Sequence, residues 1–403
     1  MKLSIHMLVL NGATVVERAL RPFATLDAEV VVVDTGSTDY TPEIIEHLCG
    51  EEFPGDYGLS SRLRCRIAAR LTPESHPGLY LRDSASSWGT DMPGPFTGLP
   101  ILRDWAAARN IGLDACRGEY IMKLDADDEL TEGSERILSV LQFMDGHPGI
   151  DFLMCPYEIM ESPTQIETIV MYDRLWRNKP SIRFAQAIHE CLLGKGKTPA
   201  NQPNWFMVAQ GLRLRDWRDS PGEGVRIAHR NYKVFMREYE RMVAARMEIS
   251  PGFLLSTIGE VTAANPNLAL SLLRMARERD PEQEHDFNYH LSLGRAYAAG
   301  GLDQHALGSF QEAVRLCPHS ASTHLALGFQ MHASGSHPEL EWLDRLAMGR
   351  AKAHIMSGFN VDHREIRRAT ALMAERRQFH ATMMEMADAC PAMQMAEPKR
   401  RQP

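Results

Sequence analysis

The strongest constraint on the fold is the sequence GEYIMKLDADDE at residues 118–129. Its apolar first half predicts a buried strand, and acidic residues follow at once, beginning with Asp125 and Asp127. Carboxylates this close repel one another unless a cation or a helix N-terminus compensates them. Mg²⁺ and Mn²⁺ bind such oxygens and bridge them to substrate phosphates. The alternative is that Thr131 and the acidic residues only cap a helix that begins near Glu132.

The first forty residues alternate between strand and helix patterns. Residues 3–10 predict a strand, and the β-branched run at 29–33 is typical of a strand that is buried on both faces. A polar turn follows, and Thr41 with Pro42 has the pattern of a helix start. This order predicts a nucleotide-binding half of a doubly wound sheet. The absence of a GxGxxG motif argues against a dinucleotide site.

The pattern continues to about residue 230, which we predict to end the first domain. Further strands are predicted at residues 120–124, 151–156, 171–176, 182–187 and 212–215, and helices at 102–114, 132–144 and 225–247. Residues 50–100 are rich in Pro, Gly and Ser and predict a long insertion with one short strand at 79–81. This insertion is either a surface excursion or an acceptor-binding lid carrying Tyr80, Trp88 and Phe96.

Residues 231–395 predict a second, all-helical domain that contains repeats. The tetratricopeptide pattern fits Leu293, Gly294, Tyr297, Ala306, Phe310, Ala313 and Pro318, and a period of 34 residues then reaches Leu327 and Gly328. Stacked helix pairs form a concave surface for partners, so this domain could dock the acceptor or pair two subunits in a homodimer. A plain helical bundle is the alternative. Residues 396–403 predict a disordered tail.

Composition excludes several classes of protein. A net charge of −8 argues against non-specific coating of nucleic acid. Seven cysteines without a CxxC pair indicate free thiols in a reducing compartment. No apolar run approaches the roughly 20 residues that span a bilayer, and the N-terminal run lacks a signal-peptide cleavage pattern. We therefore expect a cytoplasmic protein with no membrane span.

Five motifs in this order resemble the family 2 glycosyltransferases, and the whole chain resembles their subgroup with a C-terminal tetratricopeptide region. The motifs are Asn11, VVDTGSTD at 32–39, DWAAARN at 104–110, GEYI to DADD at 118–128, and IHE at 188–190. The resemblance implies an α/β GT-A fold, which is Rossmann-like with a mixed, mostly parallel sheet, followed by the helical repeat domain.

The resemblance also implies a donor site that contains a metal ion. Asn11 and Asp34 would bind the donor, with Asp34 accepting a hydrogen bond from the N3–H of uracil; alternatively Asp34 only forms a turn. Asp125 would face the donor's ribose or sugar, and Asp127 would bind Mn²⁺ or Mg²⁺. Donor binding is also predicted for three arginines, which could instead be ordinary surface charges: Arg109, Arg174 and Arg177.

An inverting transfer needs a base for the acceptor's proton. The resemblance puts the His-Glu pair on the acceptor side, so we predict Glu190 as the catalytic base and His189 as a metal or phosphate contact. Asp173 or Asp216 could serve as the base instead.

These roles predict a metal-dependent inverting glycosyltransferase that uses a nucleotide sugar, most simply a UDP-sugar. The acceptor could be a peptide, a lipid-linked glycan or a modified base of DNA. A basic cluster favours the last of these: Arg213, Arg215, Arg218, Arg226, His229 and Arg230. The competing hypothesis is a catalytically silent nucleotide-binding head on a repeat scaffold. The chain departs from the family in Gly12 and Ala13 after Asn11, in the long insertion, and in Asp216 where relatives carry His.

Overall fold

The computed structural model describes residues 2–24, 26–50, 64–81, 99–162, 164–193, 205–207, 212–216, 223–335, 337–355 and 362–389. The predicted tail at 396–403 and most of the predicted insertion at 50–100 lie outside these residues. The chain divides into two compact units, Met1–Gln283 and Glu284–Pro403.

The first unit is built on a mixed sheet in which most neighbouring strands are parallel. The strand order is β3-β2-β1-β4-β7-β6-β11-β5, and β10 pairs with β6. The strands are β1 (Leu3–Val9), β2 (Ala28–Asp34), β3 (Arg64–Arg70), β4 (Tyr120–Asp125), β5 (Asp128–Glu132), β6 (Phe152–Ser162), β7 (Gln165–Arg177), β10 (Trp205–Met207) and β11 (Arg213–Asp216). A small hairpin of β8 (Arg183–Ala185) and β9 (Cys191–Leu193) stands apart.

Helices cover both faces of this sheet. They are α1 (Val16–Leu20), α2 (Thr41–Gly50), α3 (Trp105–Ala115) and α4 (Ile137–Gly146). Val30 and Val32 of β2 pack in one core with residues of α1, α2 and α4, whereas Val31 and Val33 pack on the other face, where residues of α3 lie. The continuous β-branched run is therefore buried on both sides, as a strand between two helical layers requires.

Helix α3 lies unusually close to the sheet. A Cβ atom on Gly112 would stand 2.8 Å from both His6 Nε2 and a Val33 methyl group. The alanine-rich sequence of this helix allows the close approach, because small side chains let a helix backbone come near the strands. The close approach matters for the site, since α3 also carries Arg109.

Four helices follow the sheet within the first unit: α5 (Glu223–Ala244), α6 (Pro251–Ser256), α7 (Ile258–Ala264) and α8 (Pro266–Arg279). The predicted domain boundary at residue 230 falls inside α5, and the division by contacts comes after α8. Contacts of α5 and α7 with the site, described below, account for this difference. The predicted domain limits themselves stay a prediction.

The second unit contains α9 (Phe287–Ala299), α10 (Asp303–Leu316), α11 (Ala321–Ser334), α12 (Glu339–Ile355) and α13 (His363–Ala389). α9 and α11 begin 34 residues apart, at Phe287 and Ala321, which agrees with the predicted period. The fold class, a mixed and mostly parallel sheet followed by helical repeats, is confirmed.

Several local predictions are wrong. Residues 128–132 form strand β5, with Thr131 Oγ1 donating to Arg213 O, so they do not cap a helix that begins near Glu132. Strand β3 lies inside the predicted insertion, because an edge position next to β2 tolerates its polar sequence RCRIAAR. Tyr80 is buried and donates to Thr35 O and Leu71 O. It therefore belongs to the core and not to a lid; Trp88 and Phe96 lie outside the described residues.

Among the described residues, no helix is both long enough and apolar enough to cross a membrane.

The packing of the repeats gives a stability prediction. A Cβ atom on Gly294 of α9 would lie 2.5 Å from the Phe310 ring of α10, whereas one on Gly308 would meet nothing within 4 Å. Gly308→Ala should raise the free energy of unfolding by about 0.5–1 kcal/mol through helix propensity. Gly294→Ala gains the same helix propensity, but its methyl group would press on the Phe310 ring between α9 and α10. We therefore expect the free energy of unfolding to fall by about 1–2 kcal/mol.

Urea unfolding of the full chain, followed by far-UV circular dichroism, measures both changes. Equal stabilisation by the two alanines would contradict the close contact between Gly294 and Phe310.

Candidate functional site

Three parallel strands bring polar residues to one edge of the sheet. In the strand register Leu8 of β1 lies opposite Asp125, and Val9 lies opposite Asp34. Since β2 and β4 flank β1 at about 4.8 Å on either side, the ends of these two strands are roughly 10 Å apart. The chain passes from β1 outward to β2 and β3 and returns on the other side of β1 as β4. Ligands of open α/β sheets bind at such a switch point.

Arg109 joins two of the predicted site residues. Its guanidinium is buried on α3 and donates through Nη2 to Asp125 Oδ1 and through Nε to Glu190 Oε1, each over 2.5 Å. Lys123 lies on the same face of β4 as Asp125 and adds a 3.2 Å contact with Glu190 Oε1. Arg109 is therefore a member of the site and not a helix-surface charge.

Arg174 enters the same cluster from β7. Its Nη1 lies 3.0 Å from Asp125 Oδ2 and 3.1 Å from Asp128 Oδ2, and its guanidinium is 4.3 Å from the centre of the Tyr157 ring. The Tyr157 hydroxyl donates to Asp128 Oδ1 over 2.6 Å. This buried carboxylate also accepts from the Asp125 backbone N–H, so Asp128 fixes the turn that presents the acidic residues.

A β-bulge directs Arg174 into the cluster. Leu153 of β6 pairs with Leu175, but the next residue, Met154, pairs with Asp173. Arg174 is thus the extra residue of the bulge. Bulges commonly re-aim a side chain beside an active site, and here the re-aimed side chain is a buried guanidinium.

The cations set the charge states of the inner carboxylates. Burial alone would raise the pKa of Asp125, but Arg109, Lys123 and Arg174 outweigh it and hold that pKa well below its usual range. At Glu190, burial also raises the pKa, but Lys123 and Arg109 outweigh it and lower the pKa to about 2. Both carboxylates are consequently ionised at neutral pH.

Asp127, the predicted metal ligand, has a different environment. Burial and the negative charges of Asp216, Asp128 and Asp125 raise its pKa well above the usual range. Negative charge therefore dominates around Asp127, although Arg230 is close enough to interact with it, and a hard divalent cation would compensate that charge. The oxygen donors of Asp127 and Asp216 therefore fit Mg²⁺ or Mn²⁺, although the described residues contain no group of three or more His, Cys, Asp or Glu side chains arranged to hold a metal.

His189 is not directed at these carboxylates. Its Nε2 lies 3.2 Å from Glu260 Oε1 on α7, and Asn231 of α5 donates to the same oxygen. Both His189 and Gln186 have positive φ angles, +50° and +72°, which side chains rarely adopt. The segment that carries Glu190 is thus held in a strained conformation and anchored to α7 through His189 and Glu260. The contact of His189 with a metal ion or phosphate stays a prediction.

Asp34, which is predicted to bind the uracil ring of the donor, is fully buried at the end of β2. Its Oδ1 accepts from the Ser37 backbone N–H, and its Oδ2 accepts from Arg70 Nε over 3.1 Å. Arg70 itself is 58% exposed, so it covers Asp34 from the solvent side. Asn11 lies in the adjacent turn with φ +48°, where its side-chain oxygen accepts from the Thr38 backbone N–H.

The structure does not bring Arg177 to the cluster. Arg177 pairs with Tyr120 at the start of β4, about 17 Å along the strand from Asp125. Its guanidinium binds the backbone carbonyls of Ile150 and Met144 and the Tyr120 hydroxyl. Arg174 and Arg177 therefore contact separate sets of residues, and Arg177 is not part of the cluster.

The family comparison covers the segment that contains most of these residues. Residues 99–193 match the model of Glycosyl transferase family 2. The similarity to glycosyltransferase family 2 lies in this segment. It includes Arg109, Asp125, Asp127, Arg174 and Glu190, so the predicted resemblance is confirmed for the part of the chain where the charges converge.

The chain is also similar to a curated protein and to solved structures. The chain is 25% identical over 209 residues to a TPR repeat-containing protein of Synechococcus elongatus, which covers 52% of this chain and 40% of that protein. The chain therefore matches less than half the length of this relative.

Solved structures give weaker similarities. S. aureus TarS 1–349 in complex with UDP-GlcNAc is 14% identical, with 94% of this chain and 92% of that chain covered and a TM-score of 0.35. The Sgt2 TPR domain from Aspergillus fumigatus is 16% identical, with 32% and 82% covered and a TM-score of 0.26. Similarities with scores this low support no conclusion about activity.

Several residues of the site were not predicted from the sequence. Lys123 could have been found, because it is two residues from Asp125 and so shares its face of the strand. His6 and Glu260 gave no motif signal, since they contact the site from distant parts of the chain. Trp105 lies in the DWAAARN motif, but no role was predicted for it.

Two arginines of the predicted basic cluster are paired with a buried carboxylate. Arg213 Nη1 and Arg215 Nη2 lie 2.8 Å and 2.7 Å from the two oxygens of buried Glu158. The Arg218 and Arg226 side chains lie outside the described residues. Opposite charges at this distance cancel most of the attraction for a phosphate backbone, so these two arginines give little support to a DNA acceptor, which stays a prediction.

His6 beneath Arg109 yields a pH prediction. Its buried Nε2–H donates to Arg109 O over 2.7 Å, and burial, with the Arg109 charge, lowers its pKa from 6.5 to about 4. Between pH 6.5 and pH 4, the unfolded chain therefore binds a proton at His6 while the folded chain does not. As the pH falls from 6.5 toward 4, the free energy of unfolding should decrease by up to about 3 kcal/mol.

Denaturant unfolding of wild type and His6→Gln at pH 7, 5.5 and 4 measures this loss. The variant should lose less stability on acidification, whereas the exposed-histidine control His319→Gln should follow wild type. Parallel curves for all three proteins would contradict the predicted titration of His6.

Proposed function

We propose that this chain is a metal-dependent inverting glycosyltransferase that moves a sugar from a nucleotide sugar, most simply a UDP-sugar, to an acceptor. The observation that supports it best is the convergence of Arg109, Asp125, Asp127 and Glu190 at the switch point of the sheet, within the family 2 segment. A charged cluster of this kind suits a reaction in which negative charge develops on a leaving diphosphate.

In the proposed reaction an acceptor oxygen attacks the anomeric carbon while the bond from that carbon to the diphosphate oxygen breaks. The nucleoside diphosphate leaves with the electron pair, and the acceptor's proton passes to a carboxylate. Asp127, with Asp216, would hold the divalent cation, which neutralises charge on the diphosphate when bound. Arg109, Lys123 and Arg174 fix Asp125 and Glu190 in their ionised forms around the sugar position.

The charge environments of the two groups favour Asp173 over Glu190 as the catalytic base. A carboxylate with a pKa of about 2 that is bound to Lys123 and Arg109 is a weak proton acceptor. Burial instead raises the pKa of Asp173, and Lys123, Arg174 and Glu190 are close enough to influence it. We therefore propose that Asp173 takes the proton and that Glu190 orients Arg109 and the sugar.

The other hypotheses have less support. A silent nucleotide-binding head would be expected to lack one of the acidic residues, but Asp34, Asp125, Asp127 and Glu190 are all present. Peptide, glycan and nucleic-acid acceptors stay open as substrate classes. Pairing of subunits through the helical repeats and a cytoplasmic location stay predictions.

The cation and donor class are tested by calorimetry with UDP, GDP, CDP and TDP, with and without Mn²⁺. We expect UDP binding that depends on Mn²⁺. Asp127→Asn should weaken it about tenfold or more, because one charged ligand of the cation is lost. The exposed Glu135→Gln should bind as wild type does. Failure of every nucleotide to bind the folded wild-type protein would overturn the proposal.

The base assignment is tested by release of UDP from UDP-sugars, with water as the acceptor. Asp173→Asn should lower kcat by about 10²–10⁴ while UDP affinity stays near that of wild type. The acid limb of the pH–rate profile should also disappear. If Glu190→Gln removes that limb and Asp173→Asn keeps it, Glu190 is the base after all.

A further inference from the structure

Arg230 is a cation of the site that the motifs did not indicate. It lies on α5, the long helix after the sheet. Its guanidinium carbon stands 4.6 Å from the centre of the Trp105 ring, and its Nε and Nη2 donate to Asn231 Oδ1 over 3.0 Å and 2.7 Å. The stack and the paired hydrogen bonds fix the plane of this guanidinium, so it is already oriented before a ligand arrives.

Its neighbours belong to the catalytic segment. Trp105 is the first residue of α3, the helix that carries Arg109, and its backbone N–H donates to Ala187 O. Ala187 precedes the strained turn that presents Glu190. Arg230 therefore lies against the point where α3 meets the Glu190 segment, and Asn231 beside it is bound to Glu260, the partner of His189.

The charges around Arg230 differ from those around the inner arginines. Carboxylates outweigh burial at Arg109 and Arg174 and raise the pKa of both. At Arg230 burial outweighs the attraction of Glu190, Asp127, Glu260 and Asp125, and the pKa falls to about 10. The group is still protonated at neutral pH, and these four carboxylates are close enough to Arg230 to interact with it electrostatically.

We propose that Arg230 binds a phosphate of the donor's nucleoside diphosphate, as a binding and positioning residue contributed by the helix after the sheet. This inference rests on the proposed function, since it takes the donor site to be the cluster around Asp125 and Asp127. A planar guanidinium with a fixed orientation is suited to bidentate contact with phosphate oxygens. The phosphate would then lie between Arg230 and the cation held by Asp127.

The test compares ligands with and without phosphate. Calorimetry in Mn²⁺ measures UDP and uridine on wild type, Arg230→Gln, Arg230→Lys and the control Arg237→Gln, which removes an exposed arginine of the same helix. Arg230→Gln should weaken UDP binding about tenfold or more and leave uridine binding unchanged. Arg230→Lys keeps the charge but loses the planar fork, so its loss should be smaller. The control should match wild type.

The outcomes separate this inference from the proposed function. If wild type binds UDP and Arg230→Gln binds it equally well, the role of Arg230 is wrong while the donor site stands. An equal loss of UDP and uridine affinity would also overturn it, because that indicates damage to the site and not a lost phosphate contact; Arg230→Lys and thermal unfolding check the fold. If wild type binds no nucleotide, the proposed function and this inference fail together.

Discussion

The site depends on one buried guanidinium. Arg109 ties a helix of one layer to the end of a central strand through Asp125 and to the strained turn through Glu190. Removing one partner of such a pair leaves a buried charge uncompensated, at a cost of about 3–5 kcal/mol. The Arg109 guanidinium thus holds the helix, the central strand and the strained turn in fixed positions relative to one another. The close approach of α3 at Gly112 is what brings the guanidinium within reach.

Around this centre the charges form two zones. In the inner zone, Arg109, Lys123 and Arg174 face Asp125, Asp128 and Glu190, and positive and negative charges are equal in number. In the outer zone, burial and like charges raise the pKa of Asp127, while burial lowers the pKa of Arg230. The inner zone is suited to rigidity, whereas in the outer zone an added cation would stabilise the ionised form of Asp127.

Local pattern and motif order were enough to predict the sheet and several site residues. The positions where β2 and β4 end could be predicted, because their hydrophobic runs stop at Asp34 and Asp125. Parallel strands place those ends at the same edge of the sheet. The failures concern long-range contacts. Arg177 and Arg174 look alike in sequence, and only the pairing of β7 separates them. The ion pairs that lower the pKa of Glu190 come from α3 and β4, about 80 and 70 residues away in the chain, and no local pattern contains them. The polar edge strand β3 carried no strand signal of its own.

The bulge at Arg174 has a consequence for how related chains can differ in length. Deleting one residue between Tyr172 and Leu175 would restore regular pairing with β6 and leave no extra position from which a side chain could reach Asp125 and Asp128. The residue types on both sides could be kept and the site would still be lost. At this position the number of residues in the strand, as much as their identity, specifies the chemistry, and a gap here in an aligned relative would mark a different arrangement of charges.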